Sequence, residues 1–396
     1  MRILFLTTHN LATNPRLVKE MRLALDNKYS VEVICFSFDN WSSKYNNSLL
    51  DEFSAVKFHI ISATRKPFIP WLTSVLLEKF SRLCFKIFRN LPISLIAFGV
   101  SRRSLLLERR LKDVTIPDIV VAHNPGSLWA TLKAKQRFSC KIGFDVEDYH
   151  PGEGNNRLFQ SLSARILELS LPKMDYVTFA SPLIQSAVSE IVDSRGKNWK
   201  TVLNYFSSPE FSRPISIEGP LKMIWFSQHI DAGRGLELIF PVIKMVGFNY
   251  ELHLVGNLNK GFYQRELLEN SNIVVHSSMS QNQLHDFLKE FDIGLALEDS
   301  ANINRDICLT NKILSYLQAG LFILATNTKA QSQLLKEYNN HGIIFKNSVL
   351  SLKMELESIA LKINSIRERK NERYESFLEK NWESESAILL NLWDIK

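Results

Sequence analysis

The sequence predicts an α/β protein made of two doubly wound, Rossmann-like domains facing a cleft, with a C-terminal helix that crosses back to the first. Three observations predict it. Apolar runs of strand length alternate with segments of helical period along most of the chain. The alternation restarts after a break at Asn204–Pro220 that is rich in proline and serine. Polar and glycine-containing turns follow the apolar runs, at the strand ends where open parallel sheets bind ligands.

The first domain opens with an apolar run at Arg2–Thr8, a polar loop, and a helical pattern over Leu17–Asn27. Ser30–Phe36 completes a βαβ unit, which requires parallel strands. Further strands are expected at Lys57–Ser62, Ile119–His123, Lys141–Val146 and Tyr176–Ala180. After the break come a strand at Leu221–Ser227, a helix at Gly235–Val246 and a strand at Tyr250–Val255. The series continues with strands at Asn272–His276, Ile293–Leu297 and Leu321–Thr326, and with helices near Ser280–Glu290 and from Asn311. From about Leu352 the pattern is helical, and Phe377, Trp382, Leu389 and Trp393 give the last helix an apolar face that must dock. The expected domains are 1–210, with a basic, hydrophobic helical insert at about 65–112, then 211–375, then a returning helix at 376–396.

With 396 residues, 45% hydrophobic and 22% charged, the chain is long and apolar enough for two or three well-packed domains. A net charge of +7 permits an anionic substrate, an anionic membrane or nucleic acid, and selects none of them. Cys35, Cys84, Cys140 and Cys308 form no CxxC pair, which fits a reducing compartment and argues against a disulfide framework or a zinc site. The opening MRILFLTTHN reads as a buried strand rather than a leader, and no apolar run approaches the roughly 20 residues of a spanning helix.

Four constellations could carry chemistry. Thr310 can cap a helix whose first N–H groups, on Asn311, Lys312 and Ile313, face outward. A lysine there opposes the helix dipole unless an anion sits at that end; the plain alternative is a solvated first turn. Gly233–Arg234–Gly235 follows the first strand of the second domain and offers close backbone approach beside a planar guanidinium, or else is a tight turn with a solvated arginine. Asp145, Glu147, Asp148, His150 and Glu153 crowd the end of one strand, and His123 ends its neighbour. They could supply a base or bind sugar hydroxyls, or they could be a solvated acidic loop and a core histidine; no spacing matches a metal cage.

The fourth is Arg65–Lys112, where Trp71, Phe80 and Phe88 interleave with Arg65, Lys79, Lys86, Arg89 and Arg110. A helix lying in a membrane interface has this composition, and so does a pair of amphipathic helices packed on the sheet. No nucleic-acid-binding motif accompanies it.

Taken together, Arg234–Gly235–Leu236–Glu237 and Asn311–Gly320 resemble the signature segments of GT-B fold glycosyltransferases of the family 4 type, which are retaining and use nucleotide sugars. The Asn14–Pro15–Arg16 loop, the His123 strand end and Asp145–Glu153 are similar to family positions as well. The resemblance implies that Arg234, Gly235, Lys312 and the N–H groups of Asn311–Ile313 hold the donor diphosphate. It implies that His123, Asp145, Glu147 and Asp148 act at the reaction centre, and that Asn14, Arg16 and His150 lie on the acceptor side. The sequence departs from the family where Ser315 and Ile307 replace the usual paired glutamates and His229 stands at a common arginine position. His229, Ser315 and Glu298 are therefore the expected donor sugar and nucleoside residues, with Asp306 a nearby acid. No protein nucleophile is expected, in keeping with the lack of an evident Ser–His–Asp arrangement, and no metal cofactor. The implied role is sugar transfer to a saccharide or lipid-linked acceptor at the cytoplasmic face of a membrane during surface polysaccharide synthesis. An epimerase on the same fold and a non-catalytic scaffold are the alternatives.

Overall fold

The computed structural model describes residues 1–88, 90–215, 218–262 and 270–394. Arg89, one of the basic residues singled out above, lies outside them, as do two residues of the proline-rich break. The chain divides into two compact units, Met1–Leu203 with Ile388–Lys396, and Asn204–Ala387.

The first unit holds a seven-stranded sheet in the order β3-β2-β1-β4-β5-β6-β7. The strands are β1 Arg2–Thr7, β2 Ser30–Ser37, β3 Lys57–Ser62, β4 Ile119–His123, β5 Lys141–Val146, β6 Tyr176–Phe179 and β7 Trp199–Thr201. All pair in parallel. Central strands covered on both faces must be apolar throughout, and β4 is buried at every position. The sequence patterning misses β7, whose three residues are too short to show a run.

The final helix, Trp382–Trp393, ends in this unit. Trp393 is fully buried, donates its indole N–H to the Tyr176 hydroxyl at 3.0 Å, and meets Phe5 edge-on at 6.3 Å. A buried indole needs such an acceptor, so the aromatic end anchors at one place.

The second unit carries a six-stranded parallel sheet in the order β10-β9-β8-β11-β12-β13. Its strands are β8 Leu221–Ile230, β9 Tyr250–Leu258, β10 Ile273–His276, β11 Ile293–Ala296, β12 Phe322–Thr326 and β13 Gly342–Phe345. The last, a four-residue edge strand, is also missed by the patterning. Strand β8 runs three residues past the expected Ser227 because a bulge between Phe226 and His229 lets it keep pairing with β9. Both sheets reverse strand order beside their first strand, between β1 and β4 and between β8 and β11. Ligands of open α/β sheets bind outside the carboxyl ends at such switch points.

Candidate functional site

In the first unit the switch point is lined by neighbouring registers: Thr7 pairs with His123, and His123 with Asp145. Asn14 accepts from the Leu17 N–H at 3.1 Å and caps the helix Pro15–Asp26. That helix points Arg16 and Glu20 inward, and both are buried. Arg16 grips Asp145 with two hydrogen bonds of 2.7 and 2.8 Å and donates a third to the Val202 carbonyl at 3.0 Å. Thr178 donates to the same carboxylate at 2.6 Å.

His123 is fully buried and ringed by three carboxylates, Glu20 at 3.7 Å, Asp145 at 3.6 Å and Glu147 at 3.7 Å. Burial opposes a charged imidazole, but Glu20, with Glu147 and Asp145, outweighs it and raises His123 to about 10. Burial raises the Glu20 and Glu147 carboxyls. Burial also opposes ionised Asp145, yet Arg16 holds that carboxyl below its usual range.

The sign of the resulting pH dependence is fixed. A histidine raised from 6.5 to about 10 adds stability fully present below pH 6.5, which is lost as pH rises through about 10. The raised glutamates act in the same direction. The stability that His123 contributes, read by urea denaturation as the difference between wild type and His123→Asn, is expected to fall from pH 6.5 to 10; a difference that does not change with pH would refute the assignment.

His123, Asp145, Arg16 and Asn14 are all buried: Arg16 and Asp145 are bonded to one another, Asn14 caps a helix, and the two ring nitrogens of His123 make no hydrogen bond among the described residues. Of the first unit's expected site residues, Glu147, Asp148 and His150 are partly exposed. His9, which the sequence reading did not single out, belongs with them: burial, Arg103 and His150 lower its pKa to about 4. Glu20 was missed too, though a glutamate on the same face as Leu17 and Ala24 was its visible sign. Ligand atoms of Glu20, His123 and Asp145 lie within 4.8 Å of one another, close enough to hold a cation. The Arg16 guanidinium already neutralises Asp145 there, and a second positive charge would be repelled.

In the second unit β8 ends at Ile230 and the turn through Gly233, Arg234 and Gly235 opens the helix Leu236–Ile243. Gly235 has φ +84°, and a Cβ there would sit 2.3 Å from the Leu297 carbonyl oxygen. Only glycine lets this turn press against the end of β11. Arg234 is exposed and makes no ion pair among the described residues.

The helix Asn311–Gln318 starts at the same edge. Thr310 occupies the cap position with extended backbone, but its hydroxyl caps nothing and is buried without a partner, contrary to expectation. The first turn is therefore left without a side-chain cap. Lys312 pairs with Glu298 at 2.7 Å and lies 5.8 Å from the Trp225 ring centre. Thr326 fixes Glu298 by accepting its N–H at 2.9 Å and donating to its carbonyl at 2.6 Å. So Gly235, Glu298, Lys312 and the start of the Asn311 helix converge on one switch point. The Asn311 side-chain oxygen accepts from Asn204 at 2.7 Å. Ile313 is buried, and His229 is half-buried near the end of β8.

Ser315 faces the opposite way. It is fully buried and hydrogen-bonded to His285 at 3.1 Å, and His285 meets Glu210 at 2.7 Å. The sequence shows no Ser–His–acid arrangement, yet folding builds one from three distant segments. With Ser315 sealed and His285 stacked on Phe211 at 4.5 Å, it works as an internal tether rather than a nucleophile. This removes Ser315 from the donor-facing residues. A separate pocket of about 630 Å³, lined by Gly219, Arg367 and Lys370, lies at the amino end of β8, the wrong end of the sheet for this chemistry.

No family model and no curated protein matches the chain. Solved structures do. HepE of Anabaena in complex with UDP is 13% identical, with 99% of this chain and 98% of that one covered at a TM-score of 0.66. Sucrose-phosphate synthase from Thermosynechococcus elongatus is 10% identical, covering 99% and 98% at 0.65. The N-terminal domain of Candida albicans trehalose-6-phosphate phosphatase is 13% identical, covering 100% and 97% at 0.66. At such identities the likeness establishes architecture: the chain has the GT-B fold of nucleotide-sugar glycosyltransferases.

Proposed function

We propose that the protein is a glycosyltransferase that moves a sugar from a nucleoside-diphosphate sugar to a saccharide or lipid-linked acceptor, with retention at the anomeric carbon. The convergence of Gly235, Lys312 and an uncapped helix start at the switch point of the second sheet, with Arg234 next to Gly235 in the chain, carries this reading. It gains support from HepE, solved with UDP and with UDP-glucose on the same fold.

Charge builds on the diphosphate as the sugar–oxygen bond breaks. Fixed cations and helix N–H groups aimed at that oxygen lower the barrier, and no covalent enzyme intermediate is needed. Lys312 is paired with Glu298 at 2.7 Å. A diphosphate would compete for the ammonium and free the Glu298 carboxylate to accept donor hydroxyl groups. On the first unit, Glu147, Asp148 and His150 take the acceptor side. We place the reaction at the cytoplasmic face of a membrane, in surface polysaccharide synthesis, which agrees with four free cysteines.

Calorimetry with UDP and other nucleoside diphosphates tests the donor site. Arg234→Ala and Lys312→Ala should each weaken binding by about 1.5–3 kcal/mol, the usual loss for a charge-assisted phosphate contact. Unchanged affinity in both variants would remove this site and the function with it.

A further inference from the structure

The helix Phe68–Ile87 in the first unit is built inside out. Its inward face carries Ser74, Ser81 and Phe85, all buried. Ser81 packs close to Gly99 of the neighbouring helix Ile93–Val100, and Arg82 donates to the Gly99 carbonyl at 2.9 Å. Small residues let those two helices approach, so the large side chains point the other way. Ile69, Leu76, Phe80, Leu83 and Ile87 are each more than half exposed. Their spacing of seven, four, three and four residues makes one straight stripe at helical period. The stripe runs along a helix about 30 Å long. An exposed apolar face of this extent marks an interaction surface.

The charges choose the partner. Between Arg65 and Phe88 the described residues include five bases and one acid, and that acid, Glu78, pairs with Arg82 at 2.8 Å. Lys79 and Lys86 flank the stripe and enter no ion pair among the described residues, and Arg65 and Lys66 stand at its start. Lysine is depleted from the cores of protein–protein interfaces. Beside a bilayer its stem lies along the apolar layer while the ammonium reaches anionic headgroups. No helix among the described residues is long and apolar enough to cross a membrane.

We infer that the Phe68–Ile87 helix lies flat in the interface of an anionic phospholipid bilayer, its apolar stripe inserted and Arg65, Lys66, Lys79 and Lys86 on the headgroups. The inference stands independently of the donor site, because vesicle binding is measured without sugar or nucleotide.

The full chain should co-sediment with vesicles of phosphatidylglycerol and phosphatidylcholine, much less with phosphatidylcholine alone, and less as salt is added. The triple variant Leu76→Gln, Phe80→Gln, Leu83→Gln changes only exposed side chains and should bind on the order of a hundredfold more weakly. The pair Lys79→Ser, Lys86→Ser should narrow the difference between the two lipid mixtures while keeping a residual apolar affinity. Wild-type protein that stays in the supernatant with both mixtures overturns the inference, and so does a triple variant that pellets equally well. A dimer in light scattering that the triple variant dissolves, without vesicle binding by the wild type, assigns the face to a second copy and also overturns it.

Discussion

Replacing Asp145 with alanine is expected to destabilise the protein by about 3–5 kcal/mol, the range found when one partner of a buried ion pair is removed. Asp145 is buried, and Arg16 loses both of its charge-assisted bonds with it. The guanidinium would remain buried with one carbonyl bond, to Val202. Thr178 would lose an acceptor at the same time. Arg16→Met, which keeps the volume and removes the other charge, should be damaging too, because Asp145 would then sit buried beside Glu20 and Glu147. The double variant should cost less than the sum of the singles, since it leaves neither charge orphaned. Equilibrium urea denaturation of the four proteins measures the coupling. Additive losses would show that the pair is not a unit.

Gly235→Ala is expected to have the second large effect, and on two readouts. The left-handed backbone costs a non-glycine residue about 1–2 kcal/mol. The new methyl group would also meet the Leu297 carbonyl at 2.3 Å, and backbone cannot yield as a flexible side-chain end can. Overpacking adds roughly 1–3 kcal/mol. Relief requires the turn to lift away from the end of β11, which would displace Arg234, the neighbour of Gly235 in the chain. Thermal denaturation should therefore show a clear loss, and calorimetric affinity for a nucleoside diphosphate should fall with it. Gly233→Ala is the matched control: its φ of +73° is also left-handed, but nothing lies within 4 Å of its Cβ position. Equal effects in the two variants would mean that close approach to β11 plays no part.

The positions of β4 and β5 match the expected spans residue for residue, for one physical reason. Strands covered on both faces must be continuously apolar, so their limits are written in the local sequence. The same holds for Gly235, whose need is local backbone conformation, and for the helix that starts at Asn311. Strands β7 and β13 were not legible, because three or four edge residues need no apolar run.

The sequence by itself thus determined two Rossmann-type series and the turns that end their strands. Which charges meet was decided only by tertiary structure. Glu20 reaches His123 from a helix about a hundred positions away in the chain, and Arg16 reaches Asp145 from the same helix. Ser315 turns inward to His285 and Glu210 although it sits three positions after the outward Lys312. Periodicity says which face of a helix is apolar. It does not say which polar group closes which buried bond, because that depends on atoms brought together from distant segments within a few ångströms.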